Sequence, residues 1–393
     1  MNHRAFVVAG AFATQFAVIG VLFSLGLYVK VFEVEFGWSR TLFSSASALA
    51  MFMMGTIAIG GGRLSDRFGP RLVLSISGLL FGLGLAGLSL ISQPWHLFLL
   101  MGTLIAIGLG THDVVTLSTV AHWFNKKRGV MTAVVKVGTA LGQVIVPLIV
   151  AALIAGVGWR TTFVYIGGGA AIVLFSAAML MRYPASGKGA SSTQGTVISG
   201  LGLSDAKSSV IFRAMCLIQF LFFATLVTVP LHLAPHGMDM GLSTTQAASL
   251  LSLVGAASIL GRLGVGVLID KIGCRNAMSI CLVVLIGALG GFTLATSHPA
   301  LFAVTAVYGI AHGALFVVVS PMVAYYFGMR AHGGLFGIVL FFGTLGGSVG
   351  PIATGATFDS LGSYTPAFLA LAVSSMVALI LVRKLPKEQQ FSS

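Results

Sequence analysis

Charge is what this 393-residue chain has least of: Asp, Glu, Lys and Arg make up 8% of it and hydrophobic residues 57%. A soluble domain carries about a quarter charged residues to keep its surface wet, so a water-soluble enzyme is excluded first. Acids are the scarcest, nine against 22 Lys and Arg. The net charge of +13 would suggest a nucleic-acid partner in a soluble protein, but in a chain dissolved in lipid its placement carries the information. Cysteine is also scarce. Cys216, Cys274 and Cys281 stand singly, without metal-ligand spacing, and read as small buried hydrophobes. There is no P-loop, no Cys or His cluster with metal spacing and no nucleophile elbow in a suitable context, so ATP-driven transport and catalysis lack their parts, and neither cofactor nor metal is expected.

What is present is apolar length. A membrane-spanning helix needs about 20 apolar residues, and twelve such runs recur: 6–30, 42–62, 72–92, 97–121, 130–156, 161–181, 210–233, 245–268, 277–296, 300–326, 334–357 and 365–383. The first is too long for a secretory signal and reads as an uncleaved span. Lys and Arg are retained on the cytoplasmic side. With the N-terminus inside, that side holds Arg4, Arg63, Arg67, Arg71, Lys126, Lys127, Arg128, Arg182, Lys188, Lys207, Lys271, Arg275, Arg330, Arg383, Lys384 and Lys387, whereas the outer side holds Lys30, Arg40 and Arg160. Both termini are therefore expected in the cytoplasm, in a multi-pass protein of the plasma (cell inner) membrane.

Residues 183–208 are rich in Ser and Gly and read as a flexible linker. They divide the chain into an N-terminal six-helix bundle (1–182) and a C-terminal one (209–393). The halves repeat each other in register. Gly62-Arg63-Leu64-Ser65-Asp66-Arg67-Phe68-Gly69-Pro70-Arg71 is echoed by Gly266-Val267-Leu268-Ile269-Asp270-Lys271-Ile272-Gly273-Cys274-Arg275, and Gly37, Gly129, Gly142, Pro147 and Gly158 recur as Gly241, Gly333, Gly346, Pro351 and Gly362. The expected fold is all-α, twelve transmembrane helices in two six-helix bundles related by a pseudo-twofold axis along the membrane normal.

The loop G-x-L-x-D-R-x-G-x-R after the second span resembles the signature of the major facilitator superfamily. Gly37-Trp38-Ser39-Arg40, Trp123-Phe124-Asn125-Lys126-Lys127-Arg128-Gly129, Gly158-Trp159-Arg160 and Gly261-Arg262-Leu263-Gly264-Val265-Gly266 are similar to the monocarboxylate and oxalate/formate transporter branch. The first resemblance implies a conformational latch at Asp66, with Arg67, Gly69 and Arg71 beside it and Asp270 as its counterpart. Those residues also suit a solvated, positive-inside turn. The second implies that Arg262 holds a substrate carboxylate. Where animal monocarboxylate transporters place an acid one turn earlier, this chain has Ser258. Gly138 and Gly142 suit close packing of gate-forming helices as well as an antiporter motif.

A charge near the bilayer centre costs about 2.5 kcal/mol or more, so each deep ionisable group is a candidate. Arg262 offers a planar fork, permanently charged, that grips a carboxylate in two places. Asp113 and its neighbour His112 suit proton coupling. Lys136, one span on, is placed either to pair with Asp113 or to touch an anion. His312 and Tyr308, one turn apart in the tenth span, complete the substrate-binding set. His232 and His236 read as interfacial, and Lys30 as a snorkelling residue or an attractor of incoming anions.

The favoured reading is a secondary transporter of a small organic monocarboxylate, working by alternating access with a proton or counter-anion as its second partner. It is expected to act as a monomer without nucleic acid. Oxalate/formate-type exchange and proton-driven drug efflux stand as alternatives. A membrane sensor would want a long cytoplasmic output domain, which neither linker nor tail supplies.

Overall fold

The computed structural model describes residues 3–124, 128–184, 203–328 and 332–387. Most of the linker (185–202) and Lys126, Lys127, Lys188 and Arg330 lie outside them. Helices α1 (His3–Ser24) and α2 (Gly26–Phe36) form one rod jointed at Leu25, followed by α3 (Arg40–Phe68) and α4 (Pro70–Gly87). The short α5 (Pro94–Leu100) passes through a π turn, Met101–Ile105, into α6 (Ala106–Trp123), and α7 runs over Arg128–Leu180. The short α8 (Leu203–Ser208) precedes α9 (Val210–Asp239), α10 (Thr244–Ile272), α11 (Cys274–Leu294), α12 (His298–Phe327), α13 (His332–Leu361) and α14 (Thr365–Lys384).

Eleven stretches among the described residues are long and apolar enough to cross a membrane. The twelfth expected span is inside α7. Its 53 residues would extend about 80 Å as one helix, far beyond a hydrocarbon core of about 30 Å. Gly158 breaks it with φ 79° and ψ 162°, leaving two rods of spanning length. Large apolar side chains such as Ile59, Leu83, Ile172, Leu260, Leu263 and Val373 are exposed along the helices. In water such a surface would aggregate, and in lipid it is the solvated face.

The internal repeat reappears as geometry. Gly37, Gly69 and Gly158 take positive φ (66°, 87° and 79°), and so do Gly241, Gly273 and Gly362 (94°, 79° and 65°), each 204 residues later. Arg71 Nη2 donates to the Met179 carbonyl at 2.7 Å and Arg275 Nη2 to the Arg383 carbonyl at 2.6 Å, so the same cation caps the C-terminal turn of the last helix in each half. A Cβ on Gly142 would lie 2.2 Å from the Phe16 carbonyl oxygen, and one on Gly346 would lie 2.1 Å from that of Phe220. Glycine at both positions lets α1 cross α7 and α9 cross α13 backbone to backbone.

Two compact units result, one of Met1–Thr193 with Leu231–Ser252 and one of Gln194–Pro230 with Leu253–Ser393. Helices α9 and α10 each begin in one unit and end in the other. In the first unit, Val7 and Ala11 of α1, Leu74 of α4, Val115 and Val120 of α6, and Val135 and Ala178 of α7 form a fully enclosed apolar cluster. It fixes α4 against α1, α6 and α7, the three helices that carry the polar network described next.

Candidate functional site

The α1–α7 crossing places Gln15 between α6 and α7. Lys136 Nζ lies 2.6 Å from Asp113 Oδ1, and Gln15 Nε2 donates to the same oxygen at 2.8 Å and to Thr116 Oγ1 at 3.1 Å. The Thr139 hydroxyl donates to Gln15 Oε1 at 3.0 Å, which fixes the amide. Gln15 and Thr116 are fully buried, whereas the Asp113 and Lys136 side chains keep 38% and 35% exposure. The ion pair cancels two charges that would each be costly alone in lipid. His112 is buried and turned onto its own helix, Nδ1 2.5 Å from the Leu109 carbonyl oxygen. Sequence reasoning anticipated the proximity of Lys136 to Asp113 and missed Gln15 and Thr139. The available signal was an amide in the middle of an apolar span.

In the second unit α10 and α12 also meet at glycines. A Cβ on Gly261 would lie 1.9 Å from the Ile310 carbonyl oxygen, and one on Gly313 would lie 2.1 Å from that of Ser258. Arg262 follows Gly261 on α10, and His312 precedes Gly313 on α12, so both flank the crossing that these glycines allow. The Tyr308 hydroxyl sits 3.2 Å from His312 Nδ1, and both side chains are enclosed. Three of the four expected substrate contacts, Arg262, His312 and Tyr308, therefore belong to one helix pair, and Lys136 belongs to the first unit. Ser258 is buried with its hydroxyl on the Gly255 carbonyl at 2.7 Å. It is no proton carrier beside Arg262.

At the Asp66 end of α3, Gly69 makes the turn and Pro70 opens α4, where its missing N–H costs nothing. Asp66 accepts from the Tyr183 hydroxyl at 3.2 Å, and Ser65 Oγ is 3.0 Å from the same phenol. Burial raises the Tyr183 phenol above its ordinary value and keeps it a donor. The Arg67 guanidinium lies over the Phe68 ring, 5.2 Å from its centroid. Arg71 is committed to its helix cap, and Asp270 has no hydrogen bond or ion pair among the described residues.

The other end of α3 holds a cluster that sequence reasoning did not assemble. Arg40, counted among the outer-side cations in the sequence, is 1% exposed. Its Nε donates to Glu33 Oε2 at 3.0 Å, and Nη1 and Nη2 grip Asp239 Oδ2 and Oδ1 at 2.6 and 2.9 Å. Lys30 Nζ reaches Asp239 Oδ1 at 3.0 Å and Glu33 Oε1 at 3.3 Å. Glu35 accepts from Trp159 Nε1 and from Arg160. Phe36 stacks on Trp38 with centroids 4.4 Å apart, and Phe32 packs edge-on against Trp159 at 5.0 Å. His232 is not interfacial as expected. It is fully buried, Nε2 3.2 Å from Ser44 Oγ, because the last turns of α9 lie along α3.

This helical scaffold, with its paired loops and repeated crossings, is a known one. The family model of the Major Facilitator Superfamily matches residues 5–297 and 238–392. The chain belongs to the Major Facilitator Superfamily. Among the members it resembles, Monocarboxylate transporter 11 of Homo sapiens is 27% identical over 97% of this chain and 83% of that protein. The MFS transporter asaE of Aspergillus flavus is 29% identical over 91% and 81%, and the agnestins efflux protein AgnL12 of Paecilomyces divaricatus is 26% identical over 95% and 84%. The crystal structure of the nucleoside transporter NupG superposes with a TM-score of 0.79 at 16% identity, covering 98% of this chain and 100% of that one. The chain is thus a multi-pass superfamily transporter, with a small-molecule substrate and the lipid bilayer as its partners, and not an enzyme.

Proposed function

We propose that this transporter carries a small organic monocarboxylate by alternating access, with a proton or a counter-anion as the coupled species. The observation that carries the reading is Arg262, a guanidinium on an apolar helix held against α12 by contacts that only glycine permits. A planar, permanently charged fork matches one carboxylate group. Similarity to monocarboxylate transporters supports the same substrate class. Lys136 is matched by Asp113, so it brings no net charge to a second carboxylate, which favours a monocarboxylate over a dicarboxylate. Efflux of hydrophobic cations is less well supported, since it would need Asp113 as the recognition charge. Tyr308 and His312 back the Arg262 side. Asp113 is the candidate proton site, and Asp66, Arg67, Gly69, Arg71 and Asp270 are candidates for the latch.

In this reading residues 1–182 and 209–393 are the two rocking halves, 183–208 is the cytoplasmic linker, and both termini lie in the cytoplasm of a cell whose plasma membrane holds the protein. Replacing Arg262 tests the core of it. Arg262→Gln in proteoliposomes is expected to lower kcat/KM for lactate or pyruvate uptake by about tenfold or more, the scale of losing a charge-assisted contact to an anion, with Arg262→Lys partly active. Unchanged uptake in Arg262→Gln would refute the assignment.

A further inference from the structure

The ion cluster around the buried Arg40 is not used by the central site, and its geometry is that of a carboxylate receptor with an occupant in place. Asp239 presents both oxygens to the two terminal nitrogens of Arg40, while Lys30 binds one of those oxygens. A free monocarboxylate offers the same two oxygens at the same spacing. Lys30, Glu33 and Arg40 lie within eleven residues of one another, on α2 and the first turn of α3. The Phe36–Trp38 stack, the Phe32–Trp159 contact and the bonds from Trp159 and Arg160 to Glu35 fasten that segment to α7. Asp239 lies in the same unit as Arg40, but on a helix that reaches it from the other. It ends α9, a helix that starts in the second unit and finishes in the first.

We propose that Arg40 and Lys30 form an outer carboxylate-binding seat, and that Asp239 is its built-in occupant when this end of the transporter is closed. The inference rests on the monocarboxylate reading and adds a second place where the substrate is held. Opening this end draws the tip of α9 away from α3 and takes Asp239 with it. The cluster then loses one of its anions, and the buried guanidinium loses its bidentate partner. An arriving monocarboxylate restores both the charge balance and the hydrogen bonds. One anion replaces another, no bond is made or broken, and the open state is stabilised only when substrate is present outside. A dicarboxylate would bring a surplus charge to the seat, so selection for one carboxylate begins at the entrance.

A seat differs from a simple latch in the sign of two substitutions. A latch alone is broken equally by Arg40→Gln and Asp239→Asn, and both would then shift the KM for external acid in the same direction. With a seat, Asp239→Asn removes the internal competitor and lowers the external KM, whereas Arg40→Gln removes the receptor and raises it by about tenfold or more, with Arg40→Lys intermediate. The measurement is initial uptake of labelled pyruvate by oriented proteoliposomes. Thermal unfolding in detergent provides an assay independent of transport: sodium formate should stabilise Asp239→Ala more than sodium chloride does, and should lose that advantage in Asp239→Ala with Arg40→Gln. Wild-type vesicles that take up no monocarboxylate would overturn the substrate reading and this seat with it. Wild-type uptake with both substitutions shifting KM the same way, or equal stabilisation of Asp239→Ala by the two salts, would overturn the seat alone.

Discussion

Arg262, Lys136 and Arg40 are all cations set into apolar helices, and what stands beside each gives it different work. Lys136 is matched by Asp113, and the pair is held by Gln15, itself oriented by Thr139. Breaking one partner of such a pair leaves an uncompensated charge and costs about 3–5 kcal/mol when burial is complete. Here both side chains keep about a third of their exposure, so the cost is smaller. Lys136→Gln alone is expected to lower the melting temperature in detergent, and adding Asp113→Asn to recover most of the loss. A double variant no better than the single one would show that the pair is not what stabilises α6 against α7. The proximity of this pair was legible in the sequence because a short loop joins the two helices. Gln15 was not, since its contacts depend on which faces of α1, α6 and α7 meet, and a uniformly apolar span carries no periodicity that says so. The burial and partners of Arg40 were not legible for a related reason: counting cations per loop ignores that three of the nine acids, Glu33, Glu35 and Asp239, gather around the same end.

At the scale of helices, the crossings are set by glycine. Gly142 admits the Phe16 carbonyl and Gly346 the Phe220 carbonyl, so a larger side chain at either must push two backbones apart. Overpacking of this kind costs about 1–3 kcal/mol. Gly142→Leu and Gly346→Leu are therefore expected to lower the melting temperature clearly, while Gly168→Leu, where a Cβ meets nothing within 4 Å, should change it little. Equal behaviour of all three would contradict the crossings described. The twelve spans were readable from apolar length, and the small residues of the fifth and eleventh spans were visible as candidates for close packing. Their partners were not, because the chain records the glycine and not the carbonyl that fills its place. The break at Gly158 was legible as the joint between the spans at 130–156 and 161–181 and through the repeat that pairs it with Gly362, and both take positive φ.

The whole molecule is a duplication that kept its joints. Positive-φ glycines, the arginine caps of Arg71 and Arg275, and the glycine crossings all recur 204 residues apart, so the repeat read from the sequence is also a repeat of contacts. The proposed orientation, with both termini in the cytoplasm, is open to a direct check. In a background with Cys216, Cys274 and Cys281 changed to Ser, a Ser92→Cys protein in intact cells should react with an impermeant maleimide, and an Arg182→Cys protein should react only after permeabilisation. The reverse pattern would place the termini outside. Substrate choice tests the central claim most directly: initial uptake of labelled pyruvate, oxalate and a hydrophobic cation into proteoliposomes, each with and without an inward proton gradient and with and without internal counter-anion. Saturable pyruvate uptake that either driving force accelerates, and that Arg262→Gln lowers by about tenfold or more, is the expected result. Transport of oxalate or the cation in preference to pyruvate, or pyruvate uptake indifferent to Arg262, would contradict it.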